Sequence, residues 1–141
     1  MGLKKDQIKE IIPHREPFLL IDEVTAIEEG KWADARWTLT GDEYFFKGHF
    51  PGTPVLPGVL MLESIAQCGA LVILGMPENR GRIAYFAGAD NVKWKRKVVP
   101  GETLELHCEL IKCRFGMAIA SGTATVNGEV CCTAEIKCMV Q

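Results

Sequence analysis

The longest apolar stretch of the chain covers residues 59–74, where hydrophobic side chains occupy every face of a helix instead of a single stripe. A helix with this pattern is buried in the protein core. Pro57 stands where a first-turn proline would, and Gly75 followed by Pro77 is a helix stop signal. The pattern therefore predicts a buried central helix, and its only carboxylate is Glu63.

Alternating apolar and polar residues predict antiparallel strands on both sides of this helix. The clearest alternation lies in the C-terminal half, where Asn127-Gly128 is a turn typical of hairpins. A second hairpin is indicated earlier, where two segments rich in β-branched and aromatic residues flank residues 28–30. A short amphipathic helix over residues 6–12 precedes it, and Pro13 ends that helix. The predicted extended segments are residues 18–27, 31–39, 82–89, 91–98, 102–111, 115–126 and 129–140.

These elements predict an α+β fold in which a curved antiparallel sheet wraps around one long helix. The 141 residues, 48% of them hydrophobic, are enough to bury a real core. No repeat, linker or low-complexity stretch divides residues 1–141, so we expect a single domain. A sheet of this kind leaves strand edges unpaired, and dimers commonly join at such edges.

Charge and hydropathy exclude several classes of partner. The formal net charge of -2 provides no general basic field for nucleic acid. Charged residues at positions 4–6 interrupt any apolar start, so we expect no signal or targeting segment and a cytoplasmic location. A membrane span needs about 20 apolar residues with few polar ones. Glu63, Ser64 and Gln67 interrupt a stretch that is barely long enough, so we expect no membrane insertion.

The six cysteines do not predict a metal site. They contain no C-x-x-C pair and have no neighbouring histidine knuckle, so their spacing does not match a structural zinc site. Several alternate with polar residues as the inward positions of strands do. We interpret them as small hydrophobic residues kept reduced in the cytosol, rather than as catalytic thiols. They are Cys68, Cys108, Cys113, Cys131, Cys132 and Cys138.

Two titratable side chains form a candidate acid/base pair. His49 lies in a proline- and glycine-rich loop over residues 48–58, and an unperturbed histidine with a pKa of about 6.5 can accept a proton near neutral pH. Glu63 lies in the apolar helix, where desolvation raises the pKa of a carboxyl and keeps its proton available. A satisfied core glutamate is the alternative, but it does not explain why a carboxylate is buried at all. We interpret His14, in the extended corner over residues 13–17, as structural rather than ligand-binding.

The start of the central helix supplies a candidate oxyanion site. Pro57 has no N–H, so the free amides of Gly58 and Val59 point outward at the positive end of the helix dipole. Gln67 lies four residues after Glu63, on the same helical face, and can hydrogen-bond to that carboxyl. Base, acid and oxyanion donor together suit the β-elimination of water from a 3-hydroxyacyl compound. Whether the base and the acid meet within one protomer or across a dimer interface stays open at this point.

The stretch GHFPGTPVLPGVLMLESIAQ, residues 48–67, closely resembles the active-site signature of the FabZ-type (3R)-hydroxyacyl-[acyl carrier protein] dehydratases of bacterial fatty acid synthesis. The segments IPHR and PFLLID within residues 12–22 are similar to the N-terminal segment of that family. DNVK at residues 90–93 and VPGE at residues 99–102 resemble its later strand and turn. The resemblance covers essentially the whole chain.

The resemblance implies a hot-dog fold in obligate dimers that often assemble as hexamers. It places the catalytic histidine at His49 and the catalytic glutamate at Glu63, contributed by opposite subunits of the dimer. It places the thioester-binding amide at Gly58 and the residue that supports the glutamate at Gln67. It implies no metal and no cofactor, and a substrate carried on the phosphopantetheine arm of acyl carrier protein. We also expect substrate contacts from Val59 and Phe50.

Several alternatives remain at the sequence level. Related FabA-type enzymes, which also isomerise the double bond, have Asp at the position of Glu63, so Glu63 favours the plain dehydratase over a bifunctional dehydratase/isomerase. A hot-dog acyl thioesterase is a second alternative, and the histidine of the GHFPG loop argues against it. A third is a non-catalytic acyl-thioester binding protein in which His49 and Glu63 merely satisfy each other.

A local basic cluster has two possible roles. Carrier proteins are acidic, and a positive patch would speed docking even on a slightly acidic chain. The alternative is a solvated strand face with charges at alternate positions. The cluster and its neighbours are Arg80, Arg82, Lys93, Lys95, Arg96 and Lys97.

Overall fold

The structure, a computed structural model, describes residues 2–141 and consists of one six-stranded sheet and one long helix. Apolar residues at helical or alternating spacing form these elements where the sequence predicts them, apart from the differences given below. The helices are α1 (Lys5–Lys9) and α2 (Gly58–Leu74), with short 3-10 turns at Tyr44–Lys47 and Pro77–Asn79. The strands are β1 (Glu23–Glu28), β2 (Trp32–Thr38), β3 (Ala84–Trp94), β4 (Thr103–Arg114), β5 (Met117–Val126) and β6 (Glu129–Val140).

The sheet has the strand order β1-β2-β4-β5-β6-β3, and every neighbouring pair is antiparallel. Strand β3 is therefore an edge strand that pairs only with β6 on one side. Its large side chains Tyr85, Phe86 and Trp94 are exposed in the single chain. An edge with exposed aromatic residues is suited to pairing with another strand.

Helix α2 packs across one face of the sheet against β2, β3, β4, β5 and β6. The helix packs tightly at Gly122 of β5, where an added Cβ would lie 2.2 Å from Cγ2 of Ile65 and 2.9 Å from Sγ of Cys108. Only a residue without a side chain leaves room for the helix there. The predicted α+β arrangement of a sheet around a central helix is confirmed.

The structure differs from the sequence-based expectations in three elements. Residues 18–22 are not part of β1, because the backbone of Phe18 and Leu20 bonds to a helix side chain described below, and only the Asp22 amide reaches β2, at the Arg36 carbonyl. The two segments predicted over residues 82–98 form one strand, β3, that ends at Trp94. Phe115 was assigned to a strand, but with a positive φ of 54° it forms the β4–β5 turn together with Gly116.

Burial along α2 is uneven. From Ser64 to Leu74 every side chain is buried, as the all-round apolar pattern predicts. The first turn is different, because Val59 is 67% exposed and Leu60 and Leu62 are only partly buried. The prediction of a fully buried helix is therefore wrong for its first turn, which leaves apolar surface near the start of the helix.

None of the helices within residues 2–141 has the length and apolar character that crossing a membrane requires.

Candidate functional site

His49 is held in a defined orientation by its own loop. The Val55 amide donates to the His49 carbonyl at 2.8 Å, and Nδ1 of His49 lies 2.8 Å from the Val55 carbonyl oxygen. A carbonyl oxygen only accepts, so Nδ1 carries the ring proton and Nε2 carries the lone pair. The Phe50 ring stacks on the imidazole with centroids 4.1 Å apart. The loop therefore orients the imidazole so that Nδ1 donates to the Val55 carbonyl and Nε2 is the nitrogen that can accept a proton.

The His49 side chain lines a cavity of about 430 Å³ beside the start of α2. Gly58 lines the same cavity, and the amides of Gly58 and Val59 donate no hydrogen bond within residues 2–141. The Trp94 indole donates to the Gly58 carbonyl at 2.9 Å, and a Cβ at position 58 would lie 2.8 Å from Trp94 Nε1. The predicted base and the predicted oxyanion amide thus share one cavity.

Glu63 is largely withdrawn from water, with 18% of its side chain exposed. Burial raises the pKa of its carboxyl, and the hydrogen bond from Gln67 offsets part of that rise. The amide Nε2 of Gln67 donates to Oε2 of Glu63 at 3.1 Å. A carboxyl in this environment holds a proton to higher pH than a solvated one, which suits a general acid.

Gln67 is itself fixed by the segment that precedes β1. Its Oε1 accepts from the Leu20 amide at 2.8 Å, and its Nε2 donates to the Phe18 carbonyl at 2.8 Å as well as to Glu63. These bonds explain how the buried segment of Leu19, Leu20 and Ile21 satisfies its backbone without forming a strand. A side chain with every polar atom bonded holds the Glu63 carboxyl in one orientation.

Glu63 lines a second cavity, of about 330 Å³, at the opposite end of β3. Tyr85 and Phe86 of β3 and Cys138 of β6 contribute to its wall. His14 also lines it, with Nε2 3.7 Å from Oε2 of Glu63. The sequence interpretation of His14 as a structural corner missed this proximity, and periodicity offers no signal that could have revealed it.

The two halves of the predicted site are separate in one chain. The cavity that His49 lines does not include Glu63, and the cavity that Glu63 lines does not include His49. The His49 cavity includes Trp94 at the end of β3, whereas the Glu63 cavity includes Ala84 at its beginning. A single chain therefore offers two half-sites separated along the exposed edge strand.

Comparison with known proteins identifies the family. The FabA-like domain matches residues 12–135 of the chain. A 3-hydroxyacyl-[acyl-carrier-protein] dehydratase FabZ from Bacillus subtilis (strain 168) is 52% identical over 134 residues, which is 95% of each chain. The chain belongs to the FabZ dehydratase family. A second FabZ dehydratase, from Exiguobacterium sibiricum, is 52% identical over 131 residues, 93% of this chain and 94% of that one. The resemblance noted in the sequence is confirmed.

Solved structures confirm the fold that this family membership implies. The dehydratase heterocomplex ApeI:P from Xenorhabdus doucetiae aligns with a TM-score of 0.81 at 16% identity, over 95% of this chain and 90% of that one. An uncharacterized protein from Pyrococcus horikoshii aligns with a TM-score of 0.72 at 14% identity, over 94% and 92% of the two chains. At these identities the likeness concerns the hot-dog fold alone.

The basic cluster of this FabZ family member is divided in the single chain. Arg96 forms ion pairs with Glu102 and Glu129, so its charge is already compensated. Lys95 and Lys97 line the His49 cavity and form no ion pair within the described part of the chain. Lys93 is exposed near the end of β3, whereas Arg80 and Arg82 precede its beginning. The structure does not bring these last two arginines together with the lysines in one chain.

Proposed function

We propose that the protein dehydrates (3R)-hydroxyacyl-[acyl carrier protein] to trans-2-enoyl-[acyl carrier protein] in type II fatty acid synthesis. The observation that carries the proposal is the largely buried Glu63 carboxyl, oriented by Gln67, in a chain 52% identical to FabZ dehydratases over nearly its full length. The protein is accordingly a hydro-lyase.

In the proposed reaction, Nε2 of His49 removes a proton from C2 of the substrate. The C–H electrons form the C2–C3 double bond, while the amide of Gly58 donates to the thioester oxygen that gains negative charge. Glu63 transfers its proton to the C3 hydroxyl, which leaves as water. Because Gln67 donates to Oε2, the acidic proton of Glu63 resides on Oε1. Transfer of a proton from His49 back to Glu63, through solvent, completes the cycle.

The acid and the base meet when two chains pair through β3. In an antiparallel pairing of two edge strands, the beginning of one β3 lies against the end of the other. The Glu63 cavity of one chain then faces the His49 cavity of its partner, and the same happens again at the other end. The exposed Tyr85, Phe86 and Trp94 support such an interface. We therefore propose a homodimer with two shared sites, and the further assembly into hexamers stays a prediction.

The same pairing gives the divided basic cluster a role. Arg82 precedes β3, so in the antiparallel dimer it approaches the end of the partner strand, where Lys95 and Lys97 lie. The positive charges would then surround the entrance to the His49 cavity, where a carrier protein delivers its phosphopantetheine arm. An acidic carrier protein is attracted to such a patch.

The direct experiment is incubation with 3-hydroxyacyl-[acyl carrier protein], following the ultraviolet absorbance of the conjugated enoyl product. His49→Ala and Glu63→Gln should each abolish elimination while the protein stays folded. Release of a free thiol instead of an enoyl signal indicates a thioesterase, and binding without turnover indicates a non-catalytic protein. Chromatography of the product separates plain dehydration from dehydration followed by isomerisation.

A cytoplasmic location is part of this proposal. The six cysteines of the chain all lie within the described residues, and all are free thiols. Free thiols persist in reducing compartments. Localisation of the tagged, full-length chain by cell fractionation tests this expectation.

A further inference from the structure

His14 faces the general acid from outside the predicted catalytic set. The residue follows Pro13, in the irregular segment after α1, and its Nε2 lies 3.7 Å from Oε2 of Glu63. Both side chains are mostly shielded from water, with 22% of His14 and 18% of Glu63 exposed. They line the same cavity. This contact comes from residues 49 positions apart in the sequence, so only the fold creates it.

The surroundings of the ring indicate which nitrogen carries the proton. Nδ1 of His14 is buried and has no hydrogen-bond partner within residues 2–141. A buried N–H without an acceptor costs about 1–3 kcal/mol and is rarer in proteins than a buried acceptor without a donor. The proton of the neutral ring is therefore on Nε2, the nitrogen that faces Glu63.

The ring is also kept neutral. Burial lowers the pKa of His14, and the neighbouring Arg15 lowers it further. The guanidinium of Arg15 is fixed close by, because it donates to the carbonyls of Lys9, Ile12 and His14. At neutral pH the Glu63 carboxyl therefore faces the N–H group of a neutral ring. A charged imidazolium at this position would instead lower the pKa of Glu63 and favour loss of its proton.

The other groups that face Glu63 do not provide a second donor of this kind. Gln67 already donates to Oε2 and is bonded at its remaining polar atoms. Cys138 lines the cavity, and burial raises its pKa to about 11, so it stays neutral. Tyr85 lies on β3, at the outer wall of the cavity, with half of its surface exposed.

We propose that His14 donates its Nε2–H to the carboxylate that forms when Glu63 gives up its proton, which makes His14 a positioning residue for dehydration. This inference rests on the function proposed above. The 3.7 Å contact suits a protonated Glu63, and it shortens to a hydrogen bond as negative charge develops on the carboxyl. A hydrogen bond to a charged group contributes about 1.5–3 kcal/mol, and here it appears only as the reaction proceeds.

Two substitutions of His14 distinguish the effect of losing the N–H donor from the effect of losing the volume of the ring. His14→Leu removes the N–H, whereas His14→Gln keeps an amide donor near the position of Nε2. We expect His14→Leu to lower kcat by about 10- to 100-fold, in line with a hydrogen bond to a charged group, with KM changed by less than about twofold. His14→Gln should recover most of kcat. His107→Leu, on the outer face of the sheet, is the matched control and should keep wild-type kcat.

A spectroscopic measurement distinguishes donation from a structural role. Loss of a donor to the carboxylate raises the pKa of Glu63. We expect a ¹³C carboxyl titration, with the Glu63 signal identified by its absence in Glu63→Gln, to move to higher pH in His14→Leu and much less in His14→Gln. Equal kcat losses for Leu and Gln, or an unmoved titration, overturn the inference. An inactive wild-type protein would instead count against the proposed function itself.

Discussion

Glu63 is the residue at which the requirements of folding and of chemistry conflict. A solvent-exposed carboxyl would add no desolvation cost to folding. It would, however, be ionised at neutral pH and could not act as an acid. Burial raises the pKa of Glu63, so the folded chain retains this proton at pH values at which the unfolded chain has released it. The stability associated with the proton is fully present below the unfolded pKa, near 4.5, and is lost as pH rises through the folded pKa.

This linkage predicts the effect of Glu63→Gln on stability. Glutamine is neutral at all pH values. The variant therefore avoids the loss of stability that the wild type undergoes when Glu63 ionises. We expect the variant to gain free energy of unfolding relative to the wild type at pH 8, and to gain less or nothing at pH 4. Urea denaturation at one fixed protein concentration measures both differences. Glu78→Gln, at an exposed position, is the control, and an equal gain at both pH values contradicts the prediction.

Part of the candidate site could be predicted from residue types and their positions in the sequence. His49 and Glu63 stand out because a histidine among prolines and glycines, and a carboxylate in an apolar helix, are both unusual. Gln67 follows from helical spacing. The contact between His14 and Glu63 could not be predicted in this way. It depends on the path of the chain after α1, which no periodic pattern encodes.

Among the secondary-structure elements, those with a local period were predicted and those with a tertiary cause were not. Helix α2 and the hairpin at Asn127 follow from spacing and turn chemistry. Residues 18–21 are apolar and therefore resemble a strand, but the backbone of Phe18 and Leu20 bonds to the Gln67 side chain. Phe115 occupies a turn position with positive φ that bulky residues rarely adopt, so its type gave no turn signal.

The packing of α2 on the sheet depends on Gly122. A Cβ there would lie 2.2 Å from Cγ2 of Ile65, so Gly122→Ala must displace the Ile65 side chain, the helix or the strand. Overpacking of this kind costs about 1–3 kcal/mol. We expect Gly122→Ala to lower the free energy of unfolding by that amount, as measured by urea denaturation.

A second substitution tests whether the clash with Ile65 causes the loss of stability in Gly122→Ala. Ile65→Ala removes the Cγ2 atom and should cost about 2–5 kcal/mol alone, because it leaves a cavity. In the double variant the new methyl partly fills that cavity, so the combined cost should be clearly smaller than the sum. Ser121→Ala, at the exposed neighbouring position of β5, should change stability by less than about 0.5 kcal/mol. Additive costs at the two sites would show that the contact is not the cause.

The distribution of charge over the whole molecule bears on substrate delivery. Lys95 and Lys97 line the His49 cavity without ion-pair partners in residues 2–141, whereas Arg96 is engaged by Glu102 and Glu129. Reversing the two lysines to glutamate should lower kcat/KM for the carrier-bound substrate by about tenfold or more at low salt, because electrostatic attraction accelerates association. The loss should shrink as salt screens the charges.

The matching measurement uses a short 3-hydroxyacyl thioester without a carrier protein. We expect the lysine reversals to affect this substrate much less than the carrier-bound one. Lys112→Glu, at an exposed position of β4, changes the charge by as much as one lysine reversal, so it is the control for Lys95→Glu and Lys97→Glu taken singly and should affect neither substrate. Equal losses on both substrates would argue against docking and would place the lysines in the chemistry or in the fold.

The proposed reaction depends on the assembly of two chains, because His49 and Glu63 line separate cavities at opposite ends of β3. If His49 of one chain works with Glu63 of its partner, a dimer of one His49→Ala chain and one Glu63→Gln chain contains one site with both native residues and one with neither. Random pairing makes half of the dimers mixed, so co-expressed variants should recover about a quarter of wild-type activity.

A site built within one chain predicts the opposite result, since every chain in the mixture would lack either the acid or the base and no pairing could restore it. Mixing either single variant with a chain that carries both substitutions provides the control, because no combination of those chains assembles a native pair. Activity in the first mixture and none in the control mixtures can arise only from residues of two chains that face each other. Absence of recovery in mixtures whose mixed dimers are verified by mass spectrometry of two differently tagged chains would rule out pairing of the acid and the base across β3.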